Sequence, residues 1–450
     1  MRRTLEQLRS DALQIWLAGV AAVQPARLIP EWVQVDGGDL WIGGEPTPLD
    51  SLRRIIIVGG GKASGAMAAA LEAALGRDVL RSKHVAGWVN VPDDAVVPTQ
   101  VVHLHAARPP GVNEPTENAA AGVGEILRLV GSLTQQDLCL CVLSGGGSAL
   151  LPAPIPGVSI ADKAELTRQL SARGATIHQL NEVRRGLSLI KGGGLARACS
   201  AGKLVSLILS DVPGDDLATI AAGPTYSAKS APDAERLLRE FRLDSTAAGR
   251  RAMAALRSFS GRSALETLDA STCQVTNVLI GNNAAAVDGA GVRAEQLGYS
   301  HAMTSANTLE GSAESVAGHL AAMAAQMRAG DGPDCLISGG EPTVQLVSEA
   351  RRGRGGRNQQ LCLAALAELA DWRDLALVSG GTDGEDGPTD AAGAVVDPQI
   401  VSQARRLQLD ALDYLARNDA YTFFERCGGL IKTGATLTNV GDLRVITVSH

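Results

Sequence analysis

Lys62 stands directly behind three glycines, in Ile55-Ile56-Ile57-Val58-Gly59-Gly60-Gly61-Lys62-Ala63-Ser64-Gly65, where a β-branched run gives way to an alanine-rich one. That order predicts a buried strand, a tight turn and a helix start. Glycines let backbone approach a ligand, and the free N–H groups of a helix's first turn carry partial positive charge, so Gly60, Gly61 and Lys62 are candidates to hold an anion. A P-loop is excluded, because Ile56 occupies the place of its first glycine and Ala63 that of its hydroxyl. A dinucleotide fingerprint from Gly59 and Gly61 is only partial, since Ser64 replaces the third glycine.

Three more apolar runs end the same way, in Ser144-Gly145-Gly146-Gly147-Ser148, Ser338-Gly339-Gly340-Glu341 and Ser379-Gly380-Gly381-Thr382-Asp383. Charged residues fall beside these ends: Lys62, Asp211, Asp215, Asp216, Glu341, Arg354, Arg357, Asp383, Glu385 and Asp386. Cations and glycine N–H groups with carboxylates nearby are what phosphoryl transfer uses, as donors for phosphate oxygens, ligands for Mg²⁺ and an acceptor for a hydroxyl proton. Arg351 and Arg352 read as a solvated loop, whereas Arg357 opens a helix and is followed by Asn358-Gln359. The acidic run from Asp383 to Asp390 lacks the alternating ligands of a calcium loop.

The elements that must position these residues are strands and helices in alternation. Residues 4 to 27 read as an amphipathic helix or helix pair, followed by a short β excursion around Trp41-Ile42. Strands are predicted at 54–58, 84–91, 100–104, 137–143 and 203–209, with helices over 63–75, 115–130 and within 161–199. Helices near 232–240 and 246–258 precede a domain boundary near residue 270. Alternation then restarts with strands at 275–280, 299–303, 334–337 and 374–378, helices over 282–296, 311–328 and 358–370, and a last strand at 443–448. This pattern predicts an α/β protein with mostly parallel sheets, in domains of residues 1–270 and 271–450. Ligands of open α/β sheets sit beyond the carboxyl ends of strands, so the active site is expected in a cleft between the two domains.

Composition narrows the class. The chain has 450 residues, an apolar share of 45%, only 3% aromatics and 51 glycines, which suits an alanine-rich α/β enzyme with many tight turns. A net charge of −7 gives no general basic field, so nucleic acid is not expected as a partner. Seven cysteines without C-x-x-C pairs point to core thiols in a reducing, cytoplasmic setting. No signal peptide and no membrane span are expected.

Eight ordered motifs resemble the class II glycerate 2-kinases, whose C-terminal half is the MOFRL domain and which are often labelled hydroxypyruvate reductases. They are Val58-Gly59-Gly60-Gly61-Lys62-Ala63, Leu143-Ser144-Gly145-Gly146-Gly147-Ser148-Ala149-Leu150, Asn181-Glu182-Val183-Arg184-Arg185 and Leu209-Ser210-Asp211-Val212-Pro213-Gly214-Asp215. Gly223-Pro224-Thr225, Ser338-Gly339-Gly340-Glu341-Pro342-Thr343, Gly355-Gly356-Arg357-Asn358-Gln359 and Gly380-Gly381-Thr382-Asp383-Gly384 complete the set. The resemblance implies a Rossmann-like N-terminal domain, a MOFRL-type C-terminal domain, and ATP-dependent, Mg²⁺-assisted phosphorylation of D-glycerate at its 2-hydroxyl. It implies catalytic roles for Lys62 and Arg357. With it, Asp211 is expected to act in catalysis or on the metal and Asp383 on the metal, while Gly60, Gly61, Ser144, Gly145, Gly146, Gly147, Ser148, Glu341 and Asn358 hold substrate or phosphate. A homodimer is a further expectation.

Two stretches depart from the family. In Thr433-Gly434-Ala435-Thr436-Leu437-Thr438-Asn439-Val440-Gly441-Asp442-Leu443, Ala435 replaces a proline, Leu437 a glycine and Gly441 an asparagine, which opens the acceptor to a related hydroxy acid. Arg108-Pro109-Pro110-Gly111 replaces a Gly-His-Pro-like turn and is expected to lack a polar group there. The alternative enzyme is an NAD(P)H-dependent hydroxypyruvate reductase, supported only by the partial fingerprint at Gly59; a non-catalytic sensor of a nucleotide or small acid is the third reading.

Overall fold

The computed structural model describes residues 3–112, 114–226, 233–260, 273–330 and 332–449. The chain begins with α1 (Leu5–Ala22), α2 (Pro25–Trp32) and a small antiparallel meander of β1 (Val33–Asp36), β2 (Asp39–Ile42) and β3 (Glu45–Pro48). There follow β4 (Arg54–Gly60), α3 (Ser64–Ser82), β5 (Ala86–Pro92), β6 (Val102–Arg108), α4 (Glu117–Gly131), β7 (Asp137–Leu143) and α5 (Gly147–Leu150). Next come α6 (Ile160–Ala172), α7 (Ile177–Gly186), α8 (Gly194–Ala198), β8 (Lys203–Leu209), α9 (Ala234–Glu240), α10 (Ala247–Ser260), β9 (Gln274–Gly281), α11 (Asn283–Gln296), β10 (His301–Ser305) and α12 (Ala313–Ala329). The last part holds β11 (Cys335–Gly340), α13 (Arg357–Glu368), β12 (Leu375–Gly381), β13 (Gly393–Val396), α14 (Pro398–Arg406), α15 (Ala411–Ala416), α16 (Ala420–Cys427), β14 (Leu430–Ile431) and β15 (Asp442–Val448).

Two compact units result. A central unit comprises Pro25–Leu209 and Asp215–Ile280, and a terminal unit comprises Met1–Gln24, Ser210–Gly214 and Gly281–His450. The boundary expected near residue 270 lies outside the described residues. The structure also groups α1 with the terminal unit, and the reason is its apolar side. Ala12, Ile15, Trp16 and Val20 are buried against Val287 and Ala290 of α11 and Leu443 and Val445 of β15. Trp16 Nε1 donates to Gly380 O at 3.3 Å, and a Cβ on Gly380 would meet the indole at 2.8 Å. By length and composition Leu5–Trp32 is apolar enough to cross a membrane, with a mean hydropathy of 1.3. In the fold, α1 is a core helix of its unit.

The central sheet runs β6-β5-β4-β7-β8-β9, and its pairs from β6 to β8 are all parallel. Every residue of β7 is buried, as expected for a parallel strand covered on both faces. The chain leaves β4 toward β5 and β6, then returns to build β7 and β8 on the other side. Strand order therefore reverses between β4 and β7, so the turns Gly59–Lys62 and Ser144–Ser148 lie together at the topological switch point.

The second sheet corrects the expectation of mostly parallel strands in both domains. It runs β10-β11-β15-β12-β13-β14; β10 and β11 are parallel, and every other pair is antiparallel. The last strand enters the centre of the sheet against both neighbours. β15 is buried along its whole length, Asp442, Arg444 and Thr447 included, so its residue pattern carries no mark of direction. The sequence reading also leaves β13, α14, α15, α16 and β14 unassigned.

Candidate active site

In the central unit, the glycine turn after β4 is an interlock. Gly61 N donates to Asn90 O at 3.2 Å, Lys62 N to Gly145 O at 2.9 Å and Ser64 N to Gly61 O at 3.3 Å. Ala63 N donates to Ser144 Oγ at 2.9 Å, and the Ser64 and Ser144 hydroxyls lie 3.3 Å apart. The N–H groups from Gly61 to Ser64 are thus engaged inside the unit, and the expectation that this turn cradles an anion through its backbone is corrected. The glycines serve close approach instead: a Cβ on Gly59 would fall 2.0 Å from Val142 O, one on Gly60 2.9 Å from Leu151 Cδ2, and one on Gly61 2.1 Å from Ser144 Oγ. Ser144 is fully buried as the clamp between the two turns.

The turn after β7 is built differently. Gly146 adopts φ +77° and starts α5, with Gly147 N bonded to Ser144 O at 3.3 Å. No hydrogen bond from the described residues of this unit engages the N–H groups of Gly145, Gly146 and Ser148. A Cβ on Gly146 would lie 3.2 Å from Lys62 Cγ and 3.5 Å from Arg108 Nη2, so two cationic side chains cross this turn. Arg108, only 2% exposed, is anchored by its bond to Val112 O. The expectation of a missing polar group at Arg108-Pro109-Pro110-Gly111 is therefore corrected.

Behind Ser148 lies a cavity of about 290 Å³, lined by Ser148, Lys163, Thr167, Arg184 and Lys191 among others. Lys191 Nζ donates to Ser148 O at 2.9 Å, and Arg184 Nη1 to Asn181 Oδ1 at 3.1 Å. The motifs Asn181–Arg185 and Gly223–Thr225 here acquire a use, together with the run Lys191-Gly192-Gly193-Gly194. Ala221, Ala222 and Gly223 all hold left-handed φ values of +51°, +60° and +65°, and the Ala222 and Gly223 carbonyls accept from Gly192 N at 3.0 Å and Gly193 N at 2.7 Å. Two alanines in that region are strained, and what they hold is the loop carrying Lys191.

In the terminal unit the centre is Arg357, at the first position of α13. Its Nε and Nη2 donate to Asp442 Oδ2 and Oδ1 at 2.7 and 3.0 Å, and its Nη1 donates to Glu341 Oε1 at 2.7 Å. Asp442 is fully buried, whereas the Arg357 and Glu341 side chains are 34% exposed. Burial works against the guanidinium charge, but Asp442 and Glu341 outweigh it and hold Arg357 protonated. Burial raises the Glu341 carboxyl above its ordinary range, against the pull of Arg357. Asn358 is 1% exposed; its side-chain carbonyl accepts from Ser379 Oγ at 2.6 Å and its amide donates to Asp386. Asp386 accepts from the N–H groups of Asn358 and Gln359 at 3.0 and 2.7 Å, and burial pushes its carboxyl up to about 7.

Asp211 Oδ2 accepts from Asn439 Nδ2 at 3.0 Å, and Asp383 Oδ1 accepts from Glu385 N at 3.0 Å. Among the described residues no three His, Cys, Asp or Glu side chains are grouped to cage a metal. Mg²⁺ usually takes only one or two carboxylates beside phosphate and water. Asp211 and Asp383 each offer a carboxylate of that kind, with one oxygen already accepting a hydrogen bond. The variant loop 433–443 is tied in by Thr436 N to Asp383 O at 3.1 Å and Thr438 Oγ1 to Val23 O at 2.6 Å. Leu437, where the family resemblance expects glycine, adopts φ +65°.

The structure therefore brings Lys62 together with Gly145, Gly146, Gly147 and Ser148 in one unit, and Arg357 with Glu341 in the other. Sequence reasoning assigned no role to Arg108, Lys163, Arg184, Lys191, Asn439 or Asp442. Arg108, Arg184, Asn439 and Asp442 lie in stretches it had noted, so those stretches themselves were the available signal. All seven cysteines are free and buried.

A family model described as a domain of unknown function, DUF4147, matches residues 11–257, and the MOFRL family model matches 334–442. A glycerate kinase of Homo sapiens is 37% identical over 98% of this chain and 93% of its own length. A putative hydroxypyruvate reductase of Agrobacterium vitis is 35% identical, covering 88% of this chain and 99% of that protein. The crystal structure of glycerate kinase from Thermotoga maritima superposes with a TM-score of 0.78 at 32% identity, over 98% of this chain and 100% of that one. With both family models in order along the chain and glycerate kinases matching nearly end to end, the chain belongs to the DUF4147 and MOFRL family of glycerate kinases.

Proposed function

We propose that this protein is a kinase that transfers the terminal phosphoryl group of ATP to the 2-hydroxyl of D-glycerate, giving 2-phosphoglycerate. The observation that carries the reading is the near full-length similarity to glycerate kinases, joined to a switch-point turn crossed by Lys62 and Arg108. In the reaction the hydroxyl oxygen attacks the terminal phosphorus, the bond to the leaving diphosphate breaks, and the hydroxyl proton passes to a carboxylate. Lys62 is assigned to the negative charge that builds on the transferring group, and the Gly145–Ser148 turn to phosphate oxygens. Arg357, held in orientation by Asp442, is assigned to the phosphoryl group or the acid's carboxylate. Asp211 and Asp383 are assigned to Mg²⁺ and to the hydroxyl proton. Asp211 and Asp383 would hold Mg²⁺, which would supply positive charge to the phosphate groups.

The name of the Agrobacterium relative favours a second reading, an NAD(P)H-dependent reduction of hydroxypyruvate. Its only support in the sequence was the turn at Gly59, and the N–H groups a pyrophosphate would need there are engaged within the fold. An ATP-consumption screen over small 2- and 3-hydroxy acids, with phosphorus NMR of the product, tests the kinase and separates 2- from 3-phosphoglycerate. Lys62→Ala and Arg357→Ala should each lower turnover by orders of magnitude with the fold intact. Near-normal turnover in either variant defeats that assignment, and hydroxypyruvate-dependent NADH loss without ATP defeats the kinase.

A further inference from the structure

Three cationic side chains converge on the cavity behind Ser148, and among the described residues no buried carboxylate lines it to neutralise them. Lys163 comes from the first turn of α6, Arg184 from the last turn of α7 and Lys191 from the loop before α8. Lys163 is 6% exposed, and its Nζ has no hydrogen-bond partner among the described residues. Lys191 is 3% exposed and among the described residues its ammonium donates to a carbonyl, that of Ser148, while Arg184 meets the amide oxygen of Asn181. Among the described lining residues the one carboxylate, Glu114, belongs to an exposed residue. A buried ammonium without a partner is costly, so such a group is retained where something else supplies the counter-charge.

We propose that this cavity is a binding subsite for a phosphate-bearing polyanion, gripped by Lys163, Arg184 and Lys191. The subsite is built rather than incidental. Ser188 Oγ accepts from Lys191 N at 3.3 Å, and the left-handed Ala221–Gly223 segment fixes the two glycines that follow Lys191. Asp162, next to Lys163, caps α6 and is paired with Arg251 of α10, which fixes the first turn of that helix. At about 290 Å³ the cavity has room for a run of phosphate groups or a small phosphorylated acid, and not for a nucleoside as well. Its connection through Ser148 O to the glycine turn after β7 makes it continuous with the phosphate cradle assigned above. The subsite rests on the kinase reading only for its two sources of anion, the polyphosphate of the nucleotide and the phosphorylated product.

Proton uptake is the signature. Burial, and then the charge of Arg184, push the Lys163 ammonium down to about 7, and burial also lowers Lys191. The groups facing Lys163 are Arg184 from α7, Lys191 from the following loop and Glu114 from the segment before α4, while Arg168 on its own helix is paired with Glu165. A bound polyanion restores the Lys163 proton. Affinity is therefore greatest below about pH 7 and falls as pH rises above it.

The test is calorimetric titration of the full chain with sodium tripolyphosphate and, separately, with 2-phosphoglycerate. Sulfate, whose charge is constant near neutrality, is the probe for pH dependence. The proposal expects Lys163→Met and Lys191→Met to weaken binding by about tenfold or more at about pH 6. Lys163→Arg should bind with a smaller fall in affinity above about pH 7, the remainder being carried by Lys191, and a merely structural Lys163 would leave the profile unchanged. Loss confined to tripolyphosphate identifies the nucleotide's phosphates as occupant, and loss confined to 2-phosphoglycerate identifies the product. Wild-type affinity for both ligands in both Met variants overturns the proposal, as does failure of the unaltered protein to bind either. A protein that phosphorylates glycerate and still shows unaltered binding in these variants keeps its kinase assignment and loses this subsite.

Discussion

Gly61→Ala separates the two meanings a glycine-rich turn can have. The new methyl would sit 2.1 Å from Ser144 Oγ and 2.7 and 2.8 Å from the Ser144 carbonyl oxygen and amide nitrogen. Ordinary contacts are near 3.5 Å, so the two turns must part by about 1 Å. That parting removes the bonds from Ala63 N to Ser144 Oγ and from Lys62 N to Gly145 O, both 2.9 Å. Overpacking costs about 1–3 kcal/mol and each lost bond about 1 kcal/mol, for a destabilisation of about 3–5 kcal/mol. The midpoint of urea unfolding reads it directly. Adding Ser144→Gly removes only the hydroxyl contact and leaves both backbone contacts, so less than half of the loss should return. Gly146→Ala is the contrast. Its neighbours are flexible side chains, Lys62 Cγ at 3.2 Å and Arg108 Nη2 at 3.5 Å, so its stability cost is the left-handed φ of +77°, about 1–2 kcal/mol. Activity should fall further than stability, because Lys62 must move. If Gly61→Ala unfolds at the midpoint of the unaltered protein yet no longer binds tripolyphosphate, the glycine makes room for a ligand and the interlock argument is wrong.

The Arg357 cluster predicts an ordering. Asp442→Asn removes the buried charge from a bidentate pair and should cost about 2–4 kcal/mol in urea unfolding, whereas Glu341→Gln at the half-exposed partner should cost about 1 kcal/mol or less; the reverse order would refute Asp442 as the group that positions Arg357. For Asp137, burial opposes the charge, but bonds from Arg53, Thr134 and Arg54 outweigh it and bring the carboxyl down to about 2. Its folded value is depressed, so its contribution is present above about pH 4 and is lost as pH falls toward about 2; it amounts to about 2 kcal/mol, and Asp137→Asn should flatten acid unfolding over that window. Leu437→Gly relieves a left-handed φ of +65° and should raise the unfolding midpoint by about 1 kcal/mol of stability; a lower midpoint would mean that the leucine side chain holds the 433–443 loop.

How far the site was legible follows from what each kind of signal encodes. Apolar runs leading into glycine announced β4, β7, β11 and β12, because a strand buried on both faces is mostly apolar and its exit needs a tight turn. Burial along its whole length hid the direction of β15, because a strand covered on both faces gives no alternation to read, and its polar Asp442, Arg444 and Thr447 do not mark one. Lys62 was found through its neighbours in sequence. Lys163, Arg184 and Lys191 were not, because they meet only after α6, α7 and the loop before α8 have packed, and a lysine reads alike whether solvated or buried. The glycines after Lys191 were visible, but their reason lies in the left-handed alanines at 221 and 222, thirty residues on, which no local pattern announces. Arg108 was misread for the converse reason: at a position judged by what the family carries there, a different residue supplies charge to the same turn from a different backbone. The cations we propose to hold phosphate are thus brought together by tertiary packing, and of the two glycine turns at the switch point of the central sheet the one after β4 is part of the scaffold.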